Sequence, residues 1–135
     1  MNKILIIILF AIFPIVYAKG SYQDCSLYNI YSNVTTVDFD PDPPLFGLPL
    51  KFNYFVSGLK PTTTSTSIFF AFFSENANVP FDAHIMQVKS NLTELNLTDL
   101  YVHTPLITSD YAIMVALIDD SVGYVNCIMF PRFLG

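Results

Sequence analysis

Tryptophan, cysteine and basic residues are scarce or absent in this chain of 135 residues. It has no tryptophan, which excludes both the buried tryptophan of an immunoglobulin domain and the tryptophan platform of many sugar-binding modules. Six lysines and arginines face eleven acidic residues, giving a net charge of −5. A chain with so few cations lacks the Lys and Arg clusters that bind a phosphate backbone, so nucleic-acid binding is excluded.

Metal-ligand patterns are also missing. Cys25 and Cys127 are the only cysteines, and neither they nor His84 and His103 show the close spacing of a zinc site. Tetrahedral zinc sites draw on pairs of ligands a few residues apart. We therefore predict no metal site and no cofactor.

Catalytic motifs are equally hard to find. No G-x-S-x-G segment occurs, and we expect neither cysteine to be a free nucleophile. Asp38, Asp40 and Asp42 alternate as in a calcium loop, but the glycine and final glutamate of an EF-hand are absent. The sequence predicts a solvated turn at these carboxylates and indicates that the protein is not an enzyme.

The N-terminus has the pattern of a secretory signal peptide. Lys3 is followed by an uncharged run over residues 4–16, and Val16 and Ala18 supply small side chains before a cleavage site. A membrane anchor is the alternative, but a helix over these residues spans only about 20 Å of a ~30 Å hydrocarbon core. Cleavage after Ala18 leaves a single domain of residues 19–135 with five basic and eleven acidic residues, a net charge of −6.

A secretory compartment changes how the remaining sequence is interpreted. Disulfides persist there, so Cys25 and Cys127 are predicted to pair. Asn33, Asn91 and Asn96 each begin an Asn-X-Thr sequon, and all three become predicted glycosylation sites.

Short runs rich in Val, Ile, Phe, Tyr and Thr recur between Pro, Gly, Asn and Asp clusters, which is typical of an all-β protein. The predicted strands cover residues 27–31, 34–39, 50–57, 66–74, 83–88, 101–103, 111–119 and 124–130. A hairpin turn is expected over residues 119–123. The predicted fold is an immunoglobulin-like antiparallel β-sandwich of two sheets, with no helix longer than two turns after residue 20.

Two of these strands are apolar on both faces, over residues 68–73 and 111–118. Such a strand can be covered on its outer face by a loop or glycan, or can belong to a bulky core. Alternatively, the two sheets can be splayed around an apolar cavity whose wall is made of these large side chains. Composition leaves both interpretations open.

Two regions of the chain resemble the ML lipid-recognition family. The first runs from Asp24-Cys25-Ser26 through PDPP at residues 41–44 and Gly47 to VSG at residues 56–58; the second covers SDYAIMV at residues 109–115 and VNCIMF at residues 125–130. The match spans most of residues 22–131 and is similar to the fungal phosphatidylglycerol/phosphatidylinositol transfer and Niemann-Pick sterol-carrier branches. In that family the two end cysteines are bridged, whereas the further cysteines of many members are absent here.

The resemblance implies a secreted or vacuolar, lysosome-like lumenal protein that carries a lipid or sterol between membranes as a monomer, in transient contact with the membrane surface. The alternative is a non-enzymatic sandwich module for adhesion or carbohydrate recognition. A cavity would be lined by inward-facing residues of the middle and penultimate strands: Phe52, Tyr54, Val56, Phe70, Phe72, Ile113, Val115 and Leu117, with Phe81 and Ile85 nearer the mouth. A register slip of one residue would exchange Phe70 and Phe72 for Phe69, Ala71 and Phe73.

Overall fold

The computed structural model describes residues 23–24, 35–74 and 77–134. Within these ranges every regular element is a β-strand, which confirms the all-β prediction. The strands are β1 (Gln23–Asp24), β2 (Thr35–Asp40), β3 (Pro49–Val56), β4 (Thr66–Ser74), β5 (Asp82–Gln87), β6 (Leu95–His103), β7 (Tyr111–Asp119) and β8 (Gly123–Arg132).

The strands form two antiparallel sheets. The larger sheet has the order β1-β8-β7-β4-β5 and the smaller one the order β2-β3-β6. The predicted two-sheet β-sandwich is therefore confirmed. The predicted strand over residues 27–31 and the signal peptide over residues 1–18 lie outside the described residues.

The layer between the sheets follows from strict alternation along β3. Leu50, Phe52, Tyr54 and Val56 are buried, while the residues between them are partly exposed. Because side chains alternate across a strand, one face of β3 packs on the other sheet and the other face meets solvent. The sequence predicted this assignment of faces.

The outer face of the larger sheet is also apolar and buried. A second cluster on β4, β7 and β8 consists of Ala71, Phe73, Ala112, Met114, Ala116, Cys127 and Met129. These strands are therefore buried on both faces, as their continuous apolar sequences require. The two-faced pattern of β4 and β7 is thus explained by two buried clusters, one on each side of the sheet.

Strand β6 is much longer than predicted, and a β-bulge explains the error. The sequence predicted residues 101–103, whereas β6 covers Leu95–His103. Phe52 pairs with Leu100 but Tyr54 pairs with Leu97, so two residues of β6 oppose the single Asn53. One of them, Asp99, has φ 55° and donates its N–H to Asn53 Oδ1 at 2.9 Å. The extra residue interrupts the period-two alternation that would have revealed the strand.

The turn between β7 and β8 has the predicted position. Asp119 pairs with Gly123, and the Val122 N–H donates to the Asp119 carbonyl at 3.1 Å. Gly123 has φ 89°, a left-handed conformation that glycine adopts without steric cost. A turn followed by such a glycine matches the twist of a hairpin.

The loops gather at two opposite ends of the sandwich. The apolar end consists of residues 41–48, 77–81, 104–110 and 133–134, and the hydroxyl end of residues 57–65, 88–94 and 120–122. Antiparallel connections place alternate loops at opposite ends. Each end has a concavity of its own, described below.

Candidate functional site

Phenylalanine rings form the centre of the layer between the sheets. The Phe70 ring centroid lies 4.6 Å from that of Phe52, 5.6 Å from that of Phe72 and 6.0 Å from that of Phe39. The rings meet tilted or edge to face, the arrangement that aromatic pairs prefer. Phe70 is therefore in contact with rings from both sheets.

Eight of the ten residues expected at a cavity wall lie together in this layer. All eight have no exposed surface and belong to one cluster: Phe52, Tyr54, Val56, Phe70, Phe72, Ile113, Val115 and Leu117. The alternation of β4 points Phe70 and Phe72 inward and Ala71 and Phe73 outward. The register is therefore the expected one, without the slip of one residue.

Phe81 and Ile85 differ from the other eight. Phe81 is exposed, its ring centroid lies 6.2 Å from that of Phe72, and its N–H donates to the Phe72 carbonyl at 2.9 Å. Ile85 pairs with Phe69 on the outward face of β4 and is 65% exposed. The expectation that Ile85 lies near the mouth is wrong, because the period of β5 turns Met86 toward the core instead.

A series of hydrogen bonds between polar side chains crosses the apolar layer. The Tyr54 hydroxyl donates to Asn126 Oδ1 at 3.0 Å, and Asn126 Nδ2 donates to Thr35 Oγ1 at 3.0 Å. Burial raises the pKa of Tyr54 well above its usual range, so the hydroxyl stays protonated. These bonds join β3 to β8 and β8 to β2, and so link the two sheets.

The concavity at the apolar end has a volume of about 290 Å³. None of the described residues that line it is charged: Pro43, Pro44, Leu45, Phe46, Ile107, Tyr111, Phe133 and Leu134. Tyr111 is only 3% exposed and its ring centroid lies 6.5 Å from that of Phe72. Desolvation by burial raises the pKa of Tyr111 to about 12, so the phenol stays neutral. The concavity thus ends on the core.

An ion pair between the buried Arg132 and the more exposed Asp42 holds the loop of residues 41–48 against β8. Arg132 Nε donates to Asp42 Oδ1 at 2.9 Å and a second guanidinium nitrogen donates to Asp42 Oδ2 at 3.0 Å. The guanidinium carbon also lies 6.0 Å from the ring centroid of Phe39 and 5.8 Å from that of Phe130. The three carboxylates at Asp38, Asp40 and Asp42 are exposed, as expected, but Asp38 and Asp40 lie on β2 and not in a turn. Asp42 also accepts hydrogen bonds on both oxygens from a residue 90 positions away, which the sequence did not predict.

Thr104, in the loop after β6, is fully buried, and its hydroxyl has no hydrogen-bond partner among the described residues. An unsatisfied buried hydroxyl costs about 1–3 kcal/mol. Thr104→Val keeps the shape of the side chain, so we expect it to raise the free energy of unfolding by about that amount. Urea unfolding measures the change, with the exposed Thr108→Val as the matched control. A loss of stability on Thr104→Val would contradict this prediction.

The concavity at the hydroxyl end is larger, about 460 Å³, and its lining mixes Leu59, Leu117 and Val125 with several hydroxyl groups. Two hydrogen bonds of Thr62 tie the loops of this end together. Its hydroxyl accepts a hydrogen bond from the Leu92 N–H at 3.0 Å and donates one to the Lys89 carbonyl at 2.6 Å. Hydrogen bonds therefore connect the loop after β3 to the loop after β5.

Asp119 stands at the edge of this concavity with both carboxylate oxygens bonded. The Ser121 hydroxyl and N–H donate to Oδ1 at 2.6 and 2.9 Å, and the hydroxyls of Thr63 and Thr66 donate to Oδ2 at 2.5 and 2.8 Å. These bonds, led by that of the Ser121 hydroxyl, hold the pKa of Asp119 well below its usual range. The carboxylate therefore serves as a structural acceptor.

Asp119→Asn is expected to lower the melting temperature at neutral pH. A carboxyl whose pKa is lower in the folded state contributes stability above its ordinary pKa of about 3.9, and this contribution is lost as the pH falls through the folded-state value. The difference between wild type and variant should therefore narrow in acid. Thermal unfolding from neutral to acidic pH measures it, with the exposed Asp120→Asn as the control. A pH-independent difference would contradict this assignment.

The similarity of this chain to known proteins lies in its three-dimensional structure. No protein-family model and no curated protein sequence matches the chain. Among solved structures, the crystal structure of chicken MD-1 complexed with lipid IVa matches 85% of this chain and 92% of its own chain, with a TM-score of 0.56 and 10% sequence identity. The fold is similar to that of chicken MD-1. At this identity the similarity establishes the architecture, and it extends over nearly the whole sandwich.

The covalent sites predicted from the sequence fall partly outside the described residues. Cys25 and Asn33 lie there, so the Cys25–Cys127 bridge stays a prediction. Asp24, which precedes Cys25, pairs with Ile128, which follows Cys127, in a register compatible with that bridge. Asn91 and Asn96 are exposed, as an acceptor for a glycan must be.

Sequence reasoning missed three features of the site: Asn126, Arg132 and Thr104. Their residue types are ordinary, and their roles depend on partners or surroundings brought by other strands.

Among the described residues, no helix is long and apolar enough to cross a membrane and no group of His, Cys, Asp or Glu could hold a metal ion.

Proposed function

We propose that this protein binds one lipid or sterol between its two sheets and carries it from one membrane to another. The observation that carries the proposal is the uncharged concavity at the apolar end, which ends on the buried ring of Tyr111 beside Phe72. Apolar side chains therefore lead from the surface to the layer of the expected wall residues. The similarity of fold to chicken MD-1, whose crystal structure is a complex with lipid IVa, supports lipid binding by this protein.

The energetics favour insertion of an acyl chain into this layer. Burying twelve methylene groups at ~0.8 kcal/mol each contributes roughly 10 kcal/mol before ordering costs. The chain must part Phe70 from Phe52 and Phe72. The rings stay buried against the chain, so the loss is the part of each contact beyond area burial, about 0.5–1.5 kcal/mol per pair. This gain is relative to a chain in water and exceeds the loss of the ring contacts, so the opened layer can hold a lipid chain against its return to water.

The apolar end is the proposed entrance. One ion pair, between Asp42 and Arg132, holds the loop of residues 41–48 there, whereas several hydrogen bonds of Thr62 and Asp119 tie together the loops of the hydroxyl end. A hydrocarbon chain also meets no charge along the described lining residues at the apolar end. Extraction and release need no catalytic group, and the protein is proposed to act by binding alone.

The cellular setting belongs to the same proposal. A signal peptide cleaved after Ala18, a Cys25–Cys127 bridge and glycans on exposed sequons fit a protein of the secretory pathway, released or kept in a vacuole-like lumen. The mature domain of residues 19–135 would be a monomeric ML-type carrier related to the fungal transfer proteins and sterol carriers.

Titration of the mature protein with a fluorescent sterol and with a fluorescent phospholipid tests the proposal. We expect saturable binding of at least one probe, with one ligand per protein. Ile107→Trp places a larger side chain in the apolar-end concavity and is expected to weaken binding. Val122→Trp makes the same kind of change at the hydroxyl-end concavity and is the matched control.

Two results would overturn parts of this account. If neither probe binds saturably to the wild type, the lipid-carrier function is wrong. If the probe binds but Val122→Trp weakens binding and Ile107→Trp does not, the ligand enters at the hydroxyl end.

A further inference from the structure

Exposed apolar side chains are concentrated at the apolar end. Of the twelve large ones in the described part of the chain, six lie on the loops of residues 41–48 and 104–110 and on the last residues after β8: Leu45, Phe46, Leu48, Leu106, Phe133 and Leu134. Two more lie between β4 and β5. Phe46 is 65% exposed, although an aromatic side chain gains from burial. Clusters of this kind mark interaction surfaces.

The loop that carries Phe46 is anchored to β8. Asp42 binds Arg132 with both oxygens, and the Leu48 N–H donates to the Leu45 carbonyl at 3.1 Å. The apolar side chains of this loop are therefore presented by a turn fixed to β8. A surface that is fixed before contact loses less conformational entropy on binding.

Among the residues that the structure describes, basic side chains that could attract an anionic lipid are scarce at this end. Arg132 is 3% exposed and bound to Asp42, and Lys51 on β3 lies 3.8 Å from the carboxylate of Asp99. The remaining lysines among the described residues, Lys60 and Lys89, belong to loops of the hydroxyl end. Lys60 and Lys89 thus lie at the end of the sandwich opposite to the apolar side chains.

Acidic residues flank the apolar side chains. Asp40 is exposed at the end of β2, and Asp110 is partly exposed before β7. Attraction to anionic lipids requires lysine or arginine near the surface, and carboxylates at this end oppose it. The apolar and acidic side chains of this end therefore favour contact with a bilayer whose headgroups carry no net charge.

We infer that the apolar end docks on membranes of zwitterionic lipid by inserting Phe46 and its neighbours at the headgroup boundary. The inference rests on the proposed function and names the membrane that this function requires. The concavity lined by Leu45, Phe46 and Phe133 then opens onto the bilayer, so a lipid chain passes into the protein without crossing water.

Vesicle flotation with the full mature chain tests this inference. We expect binding to phosphatidylcholine vesicles that added salt does not weaken and added phosphatidylserine does not strengthen. Leu48→Ser with Leu106→Ser alters exposed side chains outside the concavity lining and should lower the partition coefficient at least about tenfold, because two apolar contacts are lost. Ile85→Ser with Val122→Ser changes residues elsewhere that are at least as exposed and should leave the partition coefficient unchanged.

The outcomes separate docking from lipid binding. If wild type binds lipid probes in solution but not phosphatidylcholine vesicles, the docking inference is wrong and the proposed function stands. Binding that needs phosphatidylserine and is lost in salt also overturns the inference. Sedimentation that shows a dimer disrupted by Leu48→Ser with Leu106→Ser would assign this surface to a second copy instead. If the probes themselves do not bind, the proposed function is wrong.

Discussion

Phe70→Ala is expected to lower the free energy of unfolding by about 3–5 kcal/mol, the range for removing a buried phenylalanine side chain from a packed core. Phe70 has no exposed surface and its ring contacts those of Phe39, Phe52 and Phe72. Truncation removes these contacts together and leaves a cavity that strands in two sheets cannot easily close.

Urea unfolding of the ligand-free protein measures this loss. Phe46→Ala is the matched control, because its exposed ring should change stability by less than about 0.5 kcal/mol. A loss below about 1 kcal/mol at Phe70 would contradict a filled layer and would mean that the sheets are already parted there. The same variant is expected to alter lipid affinity, since an acyl chain would have to occupy space beside this ring.

Asp42→Ala is expected to destabilise the protein by up to about 3 kcal/mol, the lower limit of the range for removing the partner of a buried charge, here that of Arg132. The variant leaves the Arg132 guanidinium buried without this carboxylate. The loss of stability is moderated because the Asp42 side chain is 27% exposed in the wild type. Two charge-assisted bonds between the loop and β8 are lost.

A double-mutant cycle tests this assignment. Arg132→Met combined with Asp42→Ala should cost less than the sum of the two single changes, because no uncompensated charge remains buried. Asp40→Ala, two residues earlier on the exposed edge of the same segment, should change stability by less than about 0.5 kcal/mol. Strict additivity of Asp42→Ala and Arg132→Met would show that the two side chains do not act as a pair.

The strands with regular patterns could be predicted from the sequence, and the reason is local. Strand β7 has the predicted bounds, Tyr111–Asp119, because its apolar run is interrupted only by the turn residues that follow. The inward face of β3 follows from alternation alone. Where a strand packs on a core, the side chains that are buried must be apolar, and this gives the sequence its pattern.

Features that depend on another strand could not be predicted. The bulge opposite Asn53 shifts the alternation of β6 by one residue, so its first half resembles a loop in the sequence. The pairing of Asp42 with Arg132 joins residues 90 positions apart and has no local pattern. The same applies to Asn126, whose partner Tyr54 lies in the opposite sheet.

The candidate site shows the same division. The inward residues of β3, β4 and β7 follow from strand periodicity, whereas Ile85 on the edge strand β5 turned out to face outward. The two concavities depend on how loops from separate strands meet at each end, which a single sequence does not encode locally. The lining of the proposed entrance, from Pro43 to Leu134, was therefore found only in the structure.

The most direct test of the central claim is an isotope-filtered nuclear Overhauser experiment on the protein with a bound phospholipid. We predict cross-peaks from acyl-chain protons to the methyl groups of Ile113, Val115 and Leu117, which lie between the sheets without exposed surface. Cross-peaks confined to surface residues such as Leu45 and Leu134, with none from these three side chains, would contradict lipid binding between the sheets.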